Sequence, residues 1–337
     1  MKKLIVVCVV LLLVQLGLAV LTHLGQHPME TQNNTGPLLT IPAADVRELL
    51  LEDAEGRKLA LTKEGDRWVL PGLGDFPADA ARIQELLIQL TNARRGWPEA
   101  TTAEAASRFK VAADRFERRL TLRADGKDLG RIYFGSSPGL RKVYLRVDGD
   151  SHIQALALES SQLDLDTDSW IDNGLLRLEA SQIKAVKLAE LRLLRQGETI
   201  QPADLREGEE VVKERVEALI KAIADLRIVA VLSREARPED GLDKPVLHFT
   251  VELADGRSID YLLAREAKPA GTGEQPSPAE TAYILKVSGR DELFRVDGWQ
   301  VEEIRSATRA TLVRARATEA AATKPEDAAR SDNRKSP

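Results

Sequence analysis

Few residues in this 337-residue chain are placed where their types and spacing could do chemistry. Gly135-Ser136-Ser137-Pro138-Gly139 has the Gly-x-Ser-x-Gly spacing of a hydrolase nucleophile elbow, in which a sharp strand-to-helix turn presents a serine hydroxyl. That elbow takes an oxyanion donor from the backbone N–H after the serine. Here the position is Pro138, which has no N–H, and the following residues read as strand where a helix is needed. The motif therefore reads as a hairpin turn. Asp164, Asp166 and Asp168 are spaced like the opening of an EF-hand loop, but position six is Ser169 instead of glycine and position twelve is Leu175 instead of a bidentate glutamate. A solvated acidic turn beside Trp170 is expected, with a weak, irregular calcium site as the alternative. His23, His27, His152 and His248 are dispersed, whereas zinc needs three or four converging ligands. No P-loop or dinucleotide glycine fingerprint occurs. No catalytic, cofactor-binding or metal-ligating residue is assigned from the sequence. No cofactor or metal is expected, and the chain reads as non-enzymatic.

The elements that would position such residues are written twice. Residues 82–94 (RIQELLIQLTNAR) and 215–227 (RVEALIKAIADLR) carry the same stripe, Ile83, Leu86, Leu87, Leu90 and Ala93 against Val216, Leu219, Ile220, Ile223 and Leu226. This is the spacing of one buried helical face. The echo continues in order: Leu59-Ala60-Leu61 and Leu191-Arg192-Leu193, Ala124-Asp125-Gly126 and Ala254-Asp255-Gly256, Tyr144 and Tyr283, Trp170 and Trp299. Strands are expected near 46–52, 58–63, 67–71, 117–122, 130–134, 142–147 and 153–158. The second copy should place them near 184–194, 246–253, 258–264 and 281–287. Asp-Gly and Gly-rich turns join them as hairpins, without intervening helices, so the pairing should be antiparallel. Asp79 is placed to cap the first long helix, and Thr101 with Glu104 has the pattern of a capping box opening a shorter one. The fold class is α+β: an N-terminal transmembrane helix and two tandem related domains, each an antiparallel sheet with a packed amphipathic helix. The expected divisions are 1–25 anchor, 26–40 linker, 41–178 first domain, 179–314 second domain and 315–337 disordered tail.

The anchor rests on residues 4–21, apolar except for Gln15, with no Asp, Glu, Lys or Arg between Lys3 and Glu30. Lys2 and Lys3 orient it with the bulk of the chain outside the cytoplasm. A cleaved signal peptide ending at Gly17-Leu18-Ala19 is the alternative, though the run exceeds the usual signal length. The single cysteine, Cys8, lies early in this run, so it suits neither lipidation nor a disulfide in the remainder. Asn33-Asn34-Thr35 is a sequon that matters only in a eukaryotic secretory host. A net charge of −5 argues against nucleic acid as a partner, the doublets Arg94-Arg95 and Arg118-Arg119 being the nearest basic features. The lipid bilayer is the expected partner of the anchor. The expected location is single-pass in a bacterial cytoplasmic membrane, with the bulk periplasmic or extracytoplasmic.

Trp68-x-Leu70, Pro77-Ala78-Asp79 before a Leu-rich helix, the Asp-Gly hairpins with Tyr144, and above all Gly241-Leu242-Asp243-Lys244-Pro245 resemble a bacterial family known only as a domain of unknown function. The resemblance covers about 41–313. The first copy departs from it, with Phe109-Lys110-Val111 where the Gly-Leu-Asp turn is expected and Ile171-Asp172-Asn173 in place of a basic-acidic-basic cluster. Members of that family are typically anchored by one N-terminal segment, and their genes often accompany gliding-motility-type ABC transporters. The resemblance thus implies a non-enzymatic accessory or scaffold component of an ABC-type transport or motility-related complex, with transporter subunits as partners. It carries no catalytic residues. The alternative is an envelope ligand-binding module, for glycan, which would need an exposed aromatic-lined cleft in a chain with four Trp and four Tyr. A hydrolase is the third reading. The topology has a direct test: a reporter active only outside the cytoplasm, fused after Thr318, should be active, with the native N-terminus retained in the membrane fraction. A soluble product beginning near Val20 would refute the anchor.

Overall fold

A computed structural model describes Gln15, residues 36–267 and residues 281–316. The expected anchor apart from Gln15, the linker up to residue 35, the loop 268–279 and the tail from residue 317 lie outside the described residues, as do Cys8, His23, His27 and Asn33. Among the described residues no helix is long and apolar enough to cross a membrane. The chain divides into two compact units, Met1–Ile171 and Asp172–Pro337.

The first unit runs β1 (Glu48–Asp53), β2 (Lys58–Glu64), β3 (Arg67–Leu70), β4 (Phe76–Pro77), α1 (Ala80–Asn92), α2 (Ala103–Arg108), β5 (Val111–Ala112), β6 (Arg115–Phe116), β7 (Arg118–Ala124), β8 (Lys127–Phe134), β9 (Val143–Val147) and β10 (Gln154–Leu156). Eight strands form one sheet ordered β10-β9-β8-β7-β1-β2-β3-β4. Every pair is antiparallel. Strand β1 shows why the sheet has an inside: Leu49, Leu51 and Asp53 are buried at alternate positions. On the opposite face Glu48 and Glu52 pair across the ladder with Arg123 and Arg119. The stripe of α1, Ile83, Leu86, Leu87 and Leu90, is at most 4% exposed. Asp79 caps it, its carboxylate accepting the Arg82 N–H at 3.0 Å.

The second unit runs β11 (Ile183–Leu188), β12 (Leu191–Gln196), β13 (Thr199–Pro202), β14 (Glu209–Val211), α3 (Lys213–Ala224), β15 (Ala230–Ser233), β16 (Leu247–Leu253), β17 (Ser258–Arg265), β18 (Ala282–Val287), β19 (Leu293–Asp297), α4 (Gly298–Arg305), α5 (Arg309–Leu312) and β20 (Val313–Ala315). Its large sheet is ordered β13-β12-β11-β16-β17-β18-β19-β15, again antiparallel, and β14 pairs with β20 apart from it. The chain is therefore a mixed fold of two large, mainly antiparallel sheets with few helices. In both sheets the first strand lies inside, bonded to the second strand on one side and, on the other, to a strand from beyond the long helix, β7 in the first unit and β16 in the second.

Residue by residue, the echo holds in some places and slips in others. Leu51 pairs with Leu59 and with Leu120, and Leu188 pairs with Leu191 and with Phe249. Leu59 and Leu191 are thus equivalent, as expected. Continuing across the ladders, Ile132 meets Val147 and Tyr261 meets Val287, so Tyr144 answers Ile284, not Tyr283. A one-residue slip reverses the face. Tyr144 lies on the outer face, 4.3 Å from the Phe109 ring, in a small cluster with Val111, Tyr133 and Ile153, whereas Tyr283 is fully buried with Leu285 and Val287. Trp170 is buried, but Trp299 is 61% exposed on α4. The 184–194 stretch is folded back at Ala189, a non-glycine residue with φ of 49°. The short helix starts at Thr102, one residue later than its capping pattern suggests, because the Thr102 hydroxyl accepts the Ala105 N–H at 3.2 Å. Residues 172–178 go with the second unit: the Asn173 carbonyl accepts from Ile228 N–H at 3.1 Å, and Leu178 N–H donates to Ala224 O at 2.9 Å.

Because both helical stripes are buried without a polar escape, Leu86→Ala or Leu219→Ala should each destabilise the chain by about 2–5 kcal/mol. Chemical denaturation should read this as a lower midpoint, and an unchanged midpoint would contradict the buried-stripe reading.

Candidate functional site

The hairpin between β8 and β9 holds the serine motif. Ser137 Oγ donates towards the carbonyls of Gly139 at 2.5 Å and Lys142 at 2.7 Å, and accepts the Gly139 N–H at 3.3 Å. Its hydroxyl thus closes the turn it sits in. Gly135 is required for packing: a Cβ there would stand 2.0 Å from the Phe109 carbonyl oxygen. Phe109 O accepts both the backbone N–H and the hydroxyl of Ser136, fastening the turn after α2 to this hairpin. Lys110, in that turn, has φ of 58°. In the second unit the left-handed residue is Gly241, φ 67°, packed 3.6 Å from the Ala264 Cβ by the position its own Cβ would take. The Gly241–Pro245 motif thus forms a structural turn at a strand end, and Phe109-Lys110 does the same work with a non-glycine residue.

The acidic run folds into successive turns. Asp164 accepts the Asp166 N–H at 3.1 Å and the Ser169 hydroxyl at 2.9 Å, and Asp166 accepts the Asp168 N–H at 3.1 Å. Burial works against ionisation of Asp164, but the donors from Asp166, Ser169 and Leu165 and the charge of Arg82 outweigh it and hold its carboxyl below the ordinary range. The turn ends at Trp170, whose indole N–H donates to Asp164 O at 2.8 Å while Arg82 covers its ring at 4.6 Å. The acidic run thereby docks a large ring near the N-terminus of α1. Among the described residues no group of three or more His, Cys, Asp or Glu could hold a metal.

The histidines and arginine doublets also separate. His152 Nδ1 lies 2.8 Å from Asp150, which also binds Arg95 at 2.9 Å, and exposed His248 lies 3.8 Å from Asp260. Arg119 pairs with Glu52 across the sheet. Each doublet thus has a member engaged by a carboxylate, Arg95 by Asp150 and Arg119 by Glu52.

What the sequence did not disclose is a groove of about 580 Å³ in the second unit, within the size range of small-ligand sites. Its floor is aliphatic, from Leu178, Ile200, Val216, Ile220 and Ala224, and its rim alternates charge, with Lys213, Glu217 and Lys221 on α3 and Asp225 at its C-cap. Arg195 shapes one wall: its guanidinium donates to the carbonyls of Ile183 at 2.7 Å, Ala180 at 2.6 Å and Glu198 at 3.2 Å, clamping the β12–β13 hairpin to the segment before β11. The Asp225 carboxyl is held low first by its hydrogen bond from Lys221, against burial, with Arg177 3.4 Å away. No aromatic residue lines the groove. In the first unit Trp68, 7% exposed, takes the place of Ile200, since Trp68 faces Lys63 across β2–β3 as Ile200 faces Arg195 across β12–β13.

The family model described as "Domain of unknown function (DUF4340)" matches residues 68–245, just over half of the chain. The chain belongs to the DUF4340 family. No curated protein and no solved structure matches it. The DUF4340 match starts at Trp68 in β3, takes in both long helices and ends at Pro245, so it holds Trp68, Pro77, Asp79, Tyr144 and the Gly241–Pro245 turn. It covers the first unit from β3 onward and the second unit as far as the turn before β16.

The Ser137 hydroxyl closes its own hairpin, which sets the expected effect of removing it. Ser137→Ala should cost no more than about 1 kcal/mol and leave the cellular phenotype of the wild type intact. A lost phenotype with an unchanged melting temperature would instead mark Ser137 as a nucleophile.

Proposed function

We propose that this DUF4340 chain is a non-enzymatic, membrane-anchored envelope protein, an accessory or scaffold component of an ABC-type transport or motility-related complex. The observation that carries the scaffold reading is the use of Ser137, Asp164 and Asp166 inside their own turns, where their polar atoms build surface loops. Two folded units in series, the second with a groove, suit the display of partner surfaces better than a single reacting centre. Anchoring is supported by the apolar run 4–21 with Lys2 and Lys3 before it. The transporter association is the contribution of the family resemblance. An envelope ligand-binding role is the second reading, and the groove on α3 favours it. Its aliphatic floor suits an apolar group better than a sugar ring, which stacks on aromatic faces.

Tethering separates the two readings, because a membrane partner meets an anchored scaffold at an effective concentration near millimolar. Residues 36–337 exported without the apolar run should fail to restore function, and the full chain should co-purify from membranes with transporter subunits identified by mass spectrometry. Full function from the exported soluble chain would overturn the membrane-partner reading and put ligand binding first.

A further inference from the structure

In each unit the chain after the long helix is tied to the segment that opens the unit: Arg95 N–H donates to Gly36 O at 2.9 Å, and Ile228 N–H donates to Asn173 O at 3.1 Å. From this shared bond the two units diverge. In the second, Val229 N–H bonds Arg295 O at 2.8 Å and the chain enters β15, with Ala230 2% exposed. In the first, the chain loops out over Gly96-Trp97-Pro98 before Glu99, whose N–H bonds Ile153 O at 2.8 Å. Two residues beyond the shared bond, where the second unit buries Ala230, the first presents Trp97 at 83% exposure.

The loop is built. The buried side chain of Gln154 holds its base, accepting the Gly96 N–H at 3.3 Å and donating to Arg94 O at 3.4 Å. Asp150 fixes Arg95 beside it at 2.9 Å. At 83% exposure the Trp97 ring takes no part in the core of its own unit, so it is free to meet an apolar surface. Its place says which. The loop adjoins Gly36, and only the fourteen residues 22–35 separate Gly36 from the apolar run 4–21, a covalent reach of no more than about 50 Å. Tryptophan is the side chain favoured at the lipid headgroup level, where its ring is apolar and its N–H wet.

We propose that the Gly96-Trp97-Pro98 loop contacts the bilayer, with Trp97 seated among the phospholipid headgroups of the outer leaflet. It acts as a second, peripheral contact that orients the first unit against the membrane. The proposal rests on the anchored reading above.

The test uses the full chain in vesicles of phosphatidylethanolamine and phosphatidylglycerol, part of the lipid carrying bromine high on one acyl chain as a quencher of tryptophan emission. Residues 1–35 contain no tryptophan, so the signal comes from Trp68, Trp97, Trp170 and Trp299. Trp68 and Trp170 are buried, and exposed Trp299 is the control. Wild type and Trp299→Phe should be quenched alike, and Trp97→Phe should lose more than half of that quenching while melting at the wild-type temperature. Equal quenching in Trp97→Phe, or none in a wild type that floats with the vesicles, overturns the loop contact and leaves the anchor standing. A wild type that does not float overturns the anchored reading and the loop contact with it. A concentration-dependent, lipid-free shift of Trp97 emission would assign the loop to a second copy of the chain and also overturn the proposal.

Discussion

The structure depends on one long-range pairing made twice. In each unit the first strand is flanked by a local partner and by a strand that follows the helix: Leu51 lies between Leu59 and Leu120, and Leu188 between Leu191 and Phe249. The local pairing needs only a short turn. The distant one must close a loop holding the whole helix, an entropic cost that the buried helical stripe and sheet face offset together. Remove either and the central strand becomes an edge, with an unpaired ladder on one side.

Once this frame exists, its two copies can differ wherever the ladder does not hold them. The β1–β2 connection is longer than Ala189-Glu190, and β8 carries an extra residue near Leu129, where the β7–β8 register shifts. The segments after the last paired strands diverge most. The first unit closes near α1 with Trp170 on a run of Asp turns, whereas the second uses α4 and α5 and leaves Trp299 outside. Trp68 stands where Ile200 helps form a groove, and Trp97 stands out where Ala230 is buried. The functional differences proposed above therefore lie in the connections, as is usual when a rigid scaffold carries variable loops.

Polar groups near these connections are arranged by the same need to satisfy backbone donors and acceptors. Ser137, Asp164 and Asp166 each answer backbone or side-chain partners in their own turn, Gln154 holds a loop base, and Arg195 answers three carbonyls. In sequence such residues resemble catalytic or metal-binding spacing, because short-range turns and active sites both favour Ser, Asp and Gly.

Local patterns of residue type and spacing determined the two stripes, the Asp79 cap and the antiparallel hairpins, since each depends on residues within a few positions of one another. Pro138 after Ser137 was enough to read that motif as a turn. The equivalence of Tyr144 with Ile284 was decided only by the ladders, because a strand's register is set by partners far along the chain and a slip of one residue is invisible in a hydrophobic pattern that tolerates either tyrosine. The division near Ile171, the groove on α3, the Arg195 clamp and the exposed Trp97 likewise came from tertiary structure. Each depends on which distant carbonyl or side chain a group meets, and spacing in one dimension does not contain that.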